Sequence, residues 1–387
     1  MRSLLVLIVT LWAGAVAAQQ EVRVGYLALE EDPRYDADFA YARIPLRPAG
    51  DTEAAAHLAV EDTAMLTEAQ GLSIALDAER VASTGEMLPA VERMIEEGAR
   101  HIVLDLPVEE VDALAAALEG QEVTLLNATA QEDWLRRRCY PHLLHTAASD
   151  RMIADALVQH LVLNDWTEVL VLQGKTERDR VRAESFVNAA ERLRLDVAEV
   201  REFDLSTNPA LREQNNVKLL TGGVDYDVVF IADDYGDFSR YVSYQTALPR
   251  PVIGSAGLVS QEWHWALERY GAPQVNSRFE ALAGQGRRMS WQDWSVWVAT
   301  RAVLTAYGKA PEATPDAVNA LLRSERLRLD GSKGAPMGFR SWSGQLRMPI
   351  LLTTENAVIA VAPLEGFLHQ SDTLDSLGFD EAEFACD

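Results

Sequence analysis

Glu168-Val-Leu-Val-Leu172 is a short apolar run, set between a helical pattern at Met152–Leu163 and another at Ala183–Arg192. It is followed by two more strand-like runs, Asp196–Val200 and Asp227–Ala232. Runs of this length bounded by amphipathic segments read as strands of a parallel sheet with helices on its faces. The decisive point is that the chain has already done this once. Upstream, Val22–Leu27, Leu72–Leu76, His101–Leu104 and Val123–Leu126 alternate with helical patterns at Glu53–Ala69, Met87–Glu97 and Val108–Leu118. Two successive βα blocks of similar size predict an α/β protein with two doubly wound, Rossmann-like lobes.

Downstream the alternation changes. Trp263–Tyr270 and Ser290–Tyr307 read as helices with no long strand between them, so the chain is expected to return to the first lobe. From Met337 to Pro363 the pattern is β-like through Leu346–Leu352 and Ala357–Ala362, with turn chemistry at Ser343-Gly344, and is expected to add strands to the second lobe. There is no internal repeat of solenoid period and no low-complexity tract.

The amino terminus reads as a secretory signal peptide. A single Arg2 precedes the apolar run Leu4–Trp12, followed by small residues from Ala13 to Ala18, so residues 1–18 are expected to be removed and the mature chain to begin at Ala18 or Gln19. The run is too short to span a bilayer, and no cysteine near the cut would accept a lipid. The 387 residues carry 35 basic and 59 acidic side chains, a formal charge of −24 that opposes binding to nucleic acid and to anionic membranes. In an exported chain two cysteines, Cys139 and Cys386, read as a disulfide closing a long loop; two free thiols are the alternative.

Several stretches resemble a known family. Glu53–Asp62 (EAAAHLAVED) looks like the first helix of leucine/isoleucine/valine-binding proteins, and His145–Leu161 (HTAASDRMIADALVQHL) resembles their passage into the second lobe. Pro249–Leu258 (PRPVIGSAGL), Trp263–Phe279, Phe339–Ile350 (FRSWSGQLRMPI) and Gly366–Cys386 resemble the substrate-binding component of ABC systems associated with PQQ-dependent alcohol dehydrogenases. The resemblance implies a type I periplasmic binding protein. Its first lobe would comprise residues 19–144 and 257–330, its second 145–256 and 331–387, with a three-segment hinge between them. It implies a monomer in the periplasm that takes a small-molecule ligand to an ABC permease of the inner membrane, without catalysis and without a cofactor. Two loops depart from the leucine-binding pattern. Leu104-Asp105-Leu106-Pro107 stands where a Ser/Thr-rich loop would grip a carboxylate, and Gln173-Gly174-Lys175-Thr176 replaces an aromatic-glycine element. Both departures argue against a free branched-chain amino acid as ligand.

Ligands of open α/β sheets sit at the carboxyl ends of the strands. That rule nominates Asp105, Asn127, Thr129, Gln173, Lys175, Asp233, Asp234, Tyr235 and Ser255, and Trp263 is added as an aromatic wall beside the expected hinge crossing at Gly254–Gly257. The bland alternative for each polar residue is a helix cap or a turn. Trp291, Trp294 and Trp297 recur every third residue and spread over about 120° of one helical face, which reads first as packing. The Cys139, His142 and His145 spacing is a weak metal pattern, because Pro141 favours an extended segment in which the two histidines face opposite ways. Acidic clusters at Glu30, Glu31, Asp32, Asp36 and Asp38, and at Asp372, Asp375, Asp380, Glu381 and Glu383, match no calcium-loop motif and read as solvated loops. The resemblance to components of alcohol dehydrogenase systems, whose enzymes use PQQ with calcium or a lanthanide, implies a hard metal ion as an alternative cargo. A sensory module that signals to a receptor is the other alternative. No nucleophile elbow, P-loop, HExxH or dinucleotide fingerprint is present.

Overall fold

The computed structural model describes residues 19–35, 52–204, 214–284, 286–310 and 312–386. The expected signal peptide and the acidic residues Asp36 and Asp38 lie outside this range.

The first sheet contains β1 (Gln20–Leu29), β2 (Leu72–Val81), β3 (His101–Asp105), β4 (Thr124–Asn127) and β5 (Leu143–His145), all parallel, in the order β2-β1-β3-β4-β5. Every residue of β3 and β4 is buried, the mark of central strands covered on both faces. The connecting helices are α1 (Glu53–Ala69), α2 (Met87–Glu96), α3 (Val108–Ala117) and the short α4 (Asp133–Arg137). The second sheet repeats the topology with β6 (Glu168–Gln173), β7 (Asp196–Glu202), β8 (Val228–Ala232) and β9 (Val252–Gly254), parallel in the order β7-β6-β8-β9. Its helices are α5 (Asp150–Leu163), α6 (Glu177–Arg192), α7 (Val217–Leu220) and α8 (Ser239–Val242). The fold is the two-lobed α/β architecture that the repeated βα pattern predicts.

α6 begins six residues before the expected Ala183, because its first turn is polar. A capping box, in which Thr176 Oγ1 accepts the Asp179 N–H and the Asp179 carboxylate accepts the Thr176 N–H, starts the helix where no apolar periodicity marks it.

After β9 the chain forms β10 (Val259–Gln261), then α9 (Ala272–Ala283), α10 (Trp291–Lys309) and α11 (Pro315–Leu322). α9 and α10 pack on α1, and α10 also covers β3. α1 and α10 approach so closely at Gly308 that a Cβ there would stand 2.6 Å from the Leu66 side chain. Trp263–Tyr270 is not helical. The Trp265 carbonyl is taken by Asn276 Nδ2, and Tyr270 and Gly271 both adopt positive φ, which ends any helix.

The remaining strands, β11 (Leu329–Asp330), β12 (Pro336–Phe339), β13 (Leu346–Arg347), β14 (Ile350–Thr354) and β15 (Ala357–Ala362), do not extend the second parallel sheet. β11-β12-β13 form one small antiparallel sheet and β10-β14-β15 another, the latter packed on α5. The single expected strand Leu346–Leu352 is split at Pro349, which has no N–H to give a ladder and whose carbonyl accepts Lys333 Nζ at 2.7 Å.

Three passages between the sheets lie side by side. Gln345 Nε2 donates to the Ala147 carbonyl at 2.9 Å, the Ala148 N–H donates to Glu262 Oε1 at 2.9 Å, and Lys333 Nζ donates to the Glu262 carbonyl at 2.9 Å. Cys139 and Cys386 are joined in a disulfide with Cα atoms 5.6 Å apart. No helix among the described residues is long and apolar enough to cross a membrane.

Candidate functional site

A cavity of about 220 Å³ opens at the carboxyl edge of the second sheet, and residues from outside that sheet complete its walls. α5 contributes Ile153 and Leu157, α6 contributes Phe186, and β8 contributes Phe230. The Phe186 and Phe230 rings stack at 3.8 Å, making a flat apolar wall. Gln131, from the loop after β4, and Trp291, the first residue of α10, also line the cavity. The volume is below the roughly 300–1,000 Å³ of drug-sized pockets and suits a small molecule.

The polar lining is tightly built. Ser149 caps α5 and places Asp150 in its first turn, where Arg178 grips the carboxylate with two nitrogens at 2.6 and 2.7 Å. Burial works against the Arg178 charge, but Asp150 and Glu132 outweigh it and hold the group above its usual range. Arg178 Nη2 also donates to Gln131 Oε1 at 3.0 Å, and Gln131 Nε2 donates to Glu262 Oε1 at 2.9 Å. A polar chain thus runs from α6 to the passage after β10. Burial pushes the Glu262 carboxyl up, against the donors Gln131 and Ala148. Burial drives the nearby Lys333 ammonium, seated 3.7 Å from the Trp294 ring centroid, well below its usual value.

Of the residues nominated from sequence, Asp233, Asp234 and Ser255 line this cavity. Asp233 Oδ2 accepts the N–H groups of Phe238 and Ser239 at 2.9 and 2.8 Å, so it also caps the turn into α8, while burial raises its carboxyl. Asp234 pairs with Arg182 at 3.2 Å, and Ser255 Oγ accepts the Asp233 N–H.

The others stand elsewhere. Asp105 sits at the edge of the first sheet under four donors: Arg34 Nη2 (3.1 Å), Tyr35 Oη (2.7 Å), Thr129 Oγ1 (2.8 Å) and Thr52 Oγ1 (2.6 Å). Arg34 directs its remaining N–H groups to Asp32, Thr129 and the Leu106 carbonyl, so a side chain of the protein itself fills the first sheet's switch point, the gap between β1 and β3. Asn127 is fully buried, its Oδ1 accepting the Ala130 N–H at 2.9 Å, which is the turn-forming role. The Gln173 carbonyl takes the Phe203 N–H, and Lys175 pairs with Asp204 at 2.6 Å at the exposed surface, outside the lining. Tyr235 is half exposed and outside the lining. Trp263 is buried in the core, stacked on Trp294 and donating Nε1 to Asn276 Oδ1 at 3.0 Å.

Trp294 and Trp297 are packing residues, their indole N–H groups donating to the Gly331 carbonyl and to Asp62, whereas Trp291 turns to the cavity. The donors of the suspected metal pattern are each committed: Cys139 to the disulfide, His142 to the Ala115 carbonyl and His145 to Asn127. Among the described residues no cluster of three or more His, Cys, Asp or Glu side chains is placed to hold a metal ion.

Sequence reasoning missed Gln131, Asp150, Arg182 and Glu262. Asp150 lies inside the HTAASD segment, directly after a helix-capping serine, and a charged residue there was a usable signal. Glu262 carried none.

No protein-family model matches the chain, and no curated protein does. Solved structures do. A branched-chain amino acid ABC transporter periplasmic ligand-binding protein from Burkholderia xenovorans LB400 is 12% identical, with a TM-score of 0.69 over 88% of this chain and 95% of that one. The branched-chain amino acid transporter substrate-binding protein LivJ of Streptococcus pneumoniae, in complex with isoleucine, is 14% identical, with a TM-score of 0.63 over 88% and 99%. A solute-binding protein of an ABC transporter from Rhodopseudomonas palustris BisB5, in complex with 3,4-dihydroxybenzoic acid, is 12% identical, with a TM-score of 0.62 over 86% and 93%. At these identities the likeness establishes a shared fold, that of two-lobed type I periplasmic binding proteins.

Proposed function

We propose that the protein captures a small organic solute between its two lobes and delivers it to an inner-membrane ABC permease, without chemical turnover. The observation that carries this reading is the composition of the cavity wall. The second sheet and α5 supply one side, while Gln131 and Trp291, from segments packed with the first sheet, supply the other. A ligand touching both sides stabilises the closed arrangement, and the three adjacent passages through Ala147, Glu262 and Gln345 provide the hinge. In this reading residues 19–144 and 257–330 form one lobe, residues 145–256 and 331–387 the other, and residues 1–18 direct export to the periplasm.

The shared fold supports the transport role, and the neighbours with isoleucine and with dihydroxybenzoic acid support small organic cargo. The stretches that resemble components of PQQ-dependent alcohol dehydrogenase systems support a solute linked to alcohol oxidation. A hard metal ion finds no support in the cleft, where Asp150, Asp233 and Asp234 are each engaged by the protein's own donors.

The test is a thermal-shift screen of the protein, unfolded and refolded to remove carried ligand, against amino acids, short alcohols and their acids, PQQ, calcium and lanthanum. A ligand at 100 times its Kd adds about 2.7 kcal/mol of stability. A shift with one organic class and silence with the metals is the expected outcome. Shifts with the metals alone would overturn it. Binding without any loss of solute uptake on gene deletion would reassign the protein to a sensory role.

A further inference from the structure

Glu262 has one carboxylate oxygen that the protein leaves unanswered. The side chain is fully buried and belongs to the cavity lining. Oε1 accepts from Gln131 Nε2 and from the Ala148 N–H, both at 2.9 Å, whereas Oε2 has no hydrogen-bond partner among the described residues. Lys333 acts on the Glu262 carboxyl through its charge, but its Nζ donates to the backbone carbonyls of Glu262 and Pro349 and gives Oε2 no hydrogen bond. The other acids of the lining are satisfied, Asp150 by Arg178, Asp234 by Arg182 and Asp233 by two backbone N–H groups.

A buried carboxylate oxygen without a donor is costly, and native proteins keep few of them. Two more unpartnered buried atoms, Gln292 Oε1 and Ser295 Oγ, lie three residues apart on α10, directly after Trp291. The Ser295 carbonyl accepts the hydroxyl of Thr146, two residues before Ala148, so this face of α10 meets the same passage as Glu262. Gln292 and Ser295 lie outside the cavity lining; within it the unmet group is the acceptor Glu262 Oε2, which needs a hydrogen-bond donor, and the Phe186–Phe230 stack is apolar.

We propose that Glu262 receives the donor head, an ammonium or hydroxyl group, of a small solute whose apolar body lies against Phe186, Phe230 and Trp291. This rests on the cleft reading above and names the ligand class that the cleft selects. A ligand offering a free carboxylate at this end would set acceptor against acceptor wherever Glu262 is ionised and is disfavoured there.

Three probes of one shape test the inference: 2-phenylethylamine, 2-phenylethanol and phenylacetate, followed by calorimetry and thermal melting on the refolded full chain and on Glu262→Gln. The wild type is expected to bind the amine or the alcohol and to refuse phenylacetate; which of the two binds separates ammonium from hydroxyl. Glu262→Gln offers an amide N–H₂ where Oε2 stood, so donor-bearing probes weaken about tenfold or more and phenylacetate gains. If that variant fails to fold, Glu262→Asp, which withdraws the carboxylate by one methylene, is expected to weaken the donor-bearing probe in the same comparison. Equal affinity of the amine or alcohol for wild type and a folded variant, or wild-type preference for phenylacetate, overturns the role of Glu262 and leaves the cleft reading intact. Silence of every probe with both proteins overturns the proposed ligand class, while the cleft reading stands or falls with the wider screen.

Discussion

Arg34 places Nη2 3.1 Å from Asp105 Oδ1, so the first sheet's switch point is closed by an internal ion pair. Asp105 is fully buried and holds Tyr35, Thr52 and Thr129 as well. Removing one partner of such a cluster leaves uncompensated buried charge and donors. Asp105→Ala is therefore expected to lose about 3–5 kcal/mol in urea denaturation. Ligand affinity of the folded fraction should be unchanged, and a selective loss of affinity would show that Asp105 touches ligand.

Trp291 and Trp294, both in the first turn of α10, should separate cleanly. Trp294 is fully buried, and truncating such a side chain costs about 3–5 kcal/mol, so Trp294→Ala should lower the melting temperature sharply. Trp291 is only partly buried, and Trp291→Ala should cost under about 1.5 kcal/mol while weakening the ligand found in the screen. Paired melting and binding curves of the two variants decide the matter.

The disulfide joins residues separated by 247 positions. Loop-closure entropy sets its contribution at about 5 kcal/mol in the chain-entropy model. Cys139→Ser/Cys386→Ser should accordingly unfold at lower urea concentration than the oxidised protein, with reductant destabilising the wild type and not the double variant.

His101 is fully buried, bonded to Asn319 and to Tyr307, and burial lowers its pKa to about 4. An unfolded histidine titrates near 6.5, so between these values the unfolded chain binds more protons than the folded one. The His101 contribution is complete above pH 6.5 and is lost as pH falls toward 4. Because each pKa unit is worth about 1.36 kcal/mol, the stability gap between wild type and His101→Gln should narrow by more than about 1 kcal/mol from pH 7 to pH 4.5. A constant gap would mean that His101 titrates normally.

The architecture was legible where burial is two-sided. The residues of β3, β4 and β8 are buried throughout because helices cover both faces, and the apolar runs they contain, Ile102–Leu104, Leu125-Leu126 and Val228–Ala232, show in composition alone. What escaped was structure held by side chains distant in sequence. Trp263–Tyr270 has helical spacing, yet Asn276 takes one of its carbonyls and Trp294 stacks on its first residue. Asp233, Asp234 and Ser255 could be placed at the cavity because strand ends follow from topology. Glu262 could not, since its setting depends on Gln131, 131 positions earlier, and on the amide of Ala148. Asp105 obeyed the strand-end rule but met Arg34, whose long side chain filled the space a ligand would need.

The Cys139–Cys386 bond also shapes the covalent topology of the molecule. It makes a closed ring of the chain from residue 139 to residue 386, with the whole second sheet and helices α5 to α11 inside it and β1 to β4 outside. Tyr244, 89% exposed in the segment after α8, is an accessible point on that ring. A protease cutting there opens the ring without releasing a fragment, so the nicked protein stays one molecule and migrates as such until the sulfurs are reduced.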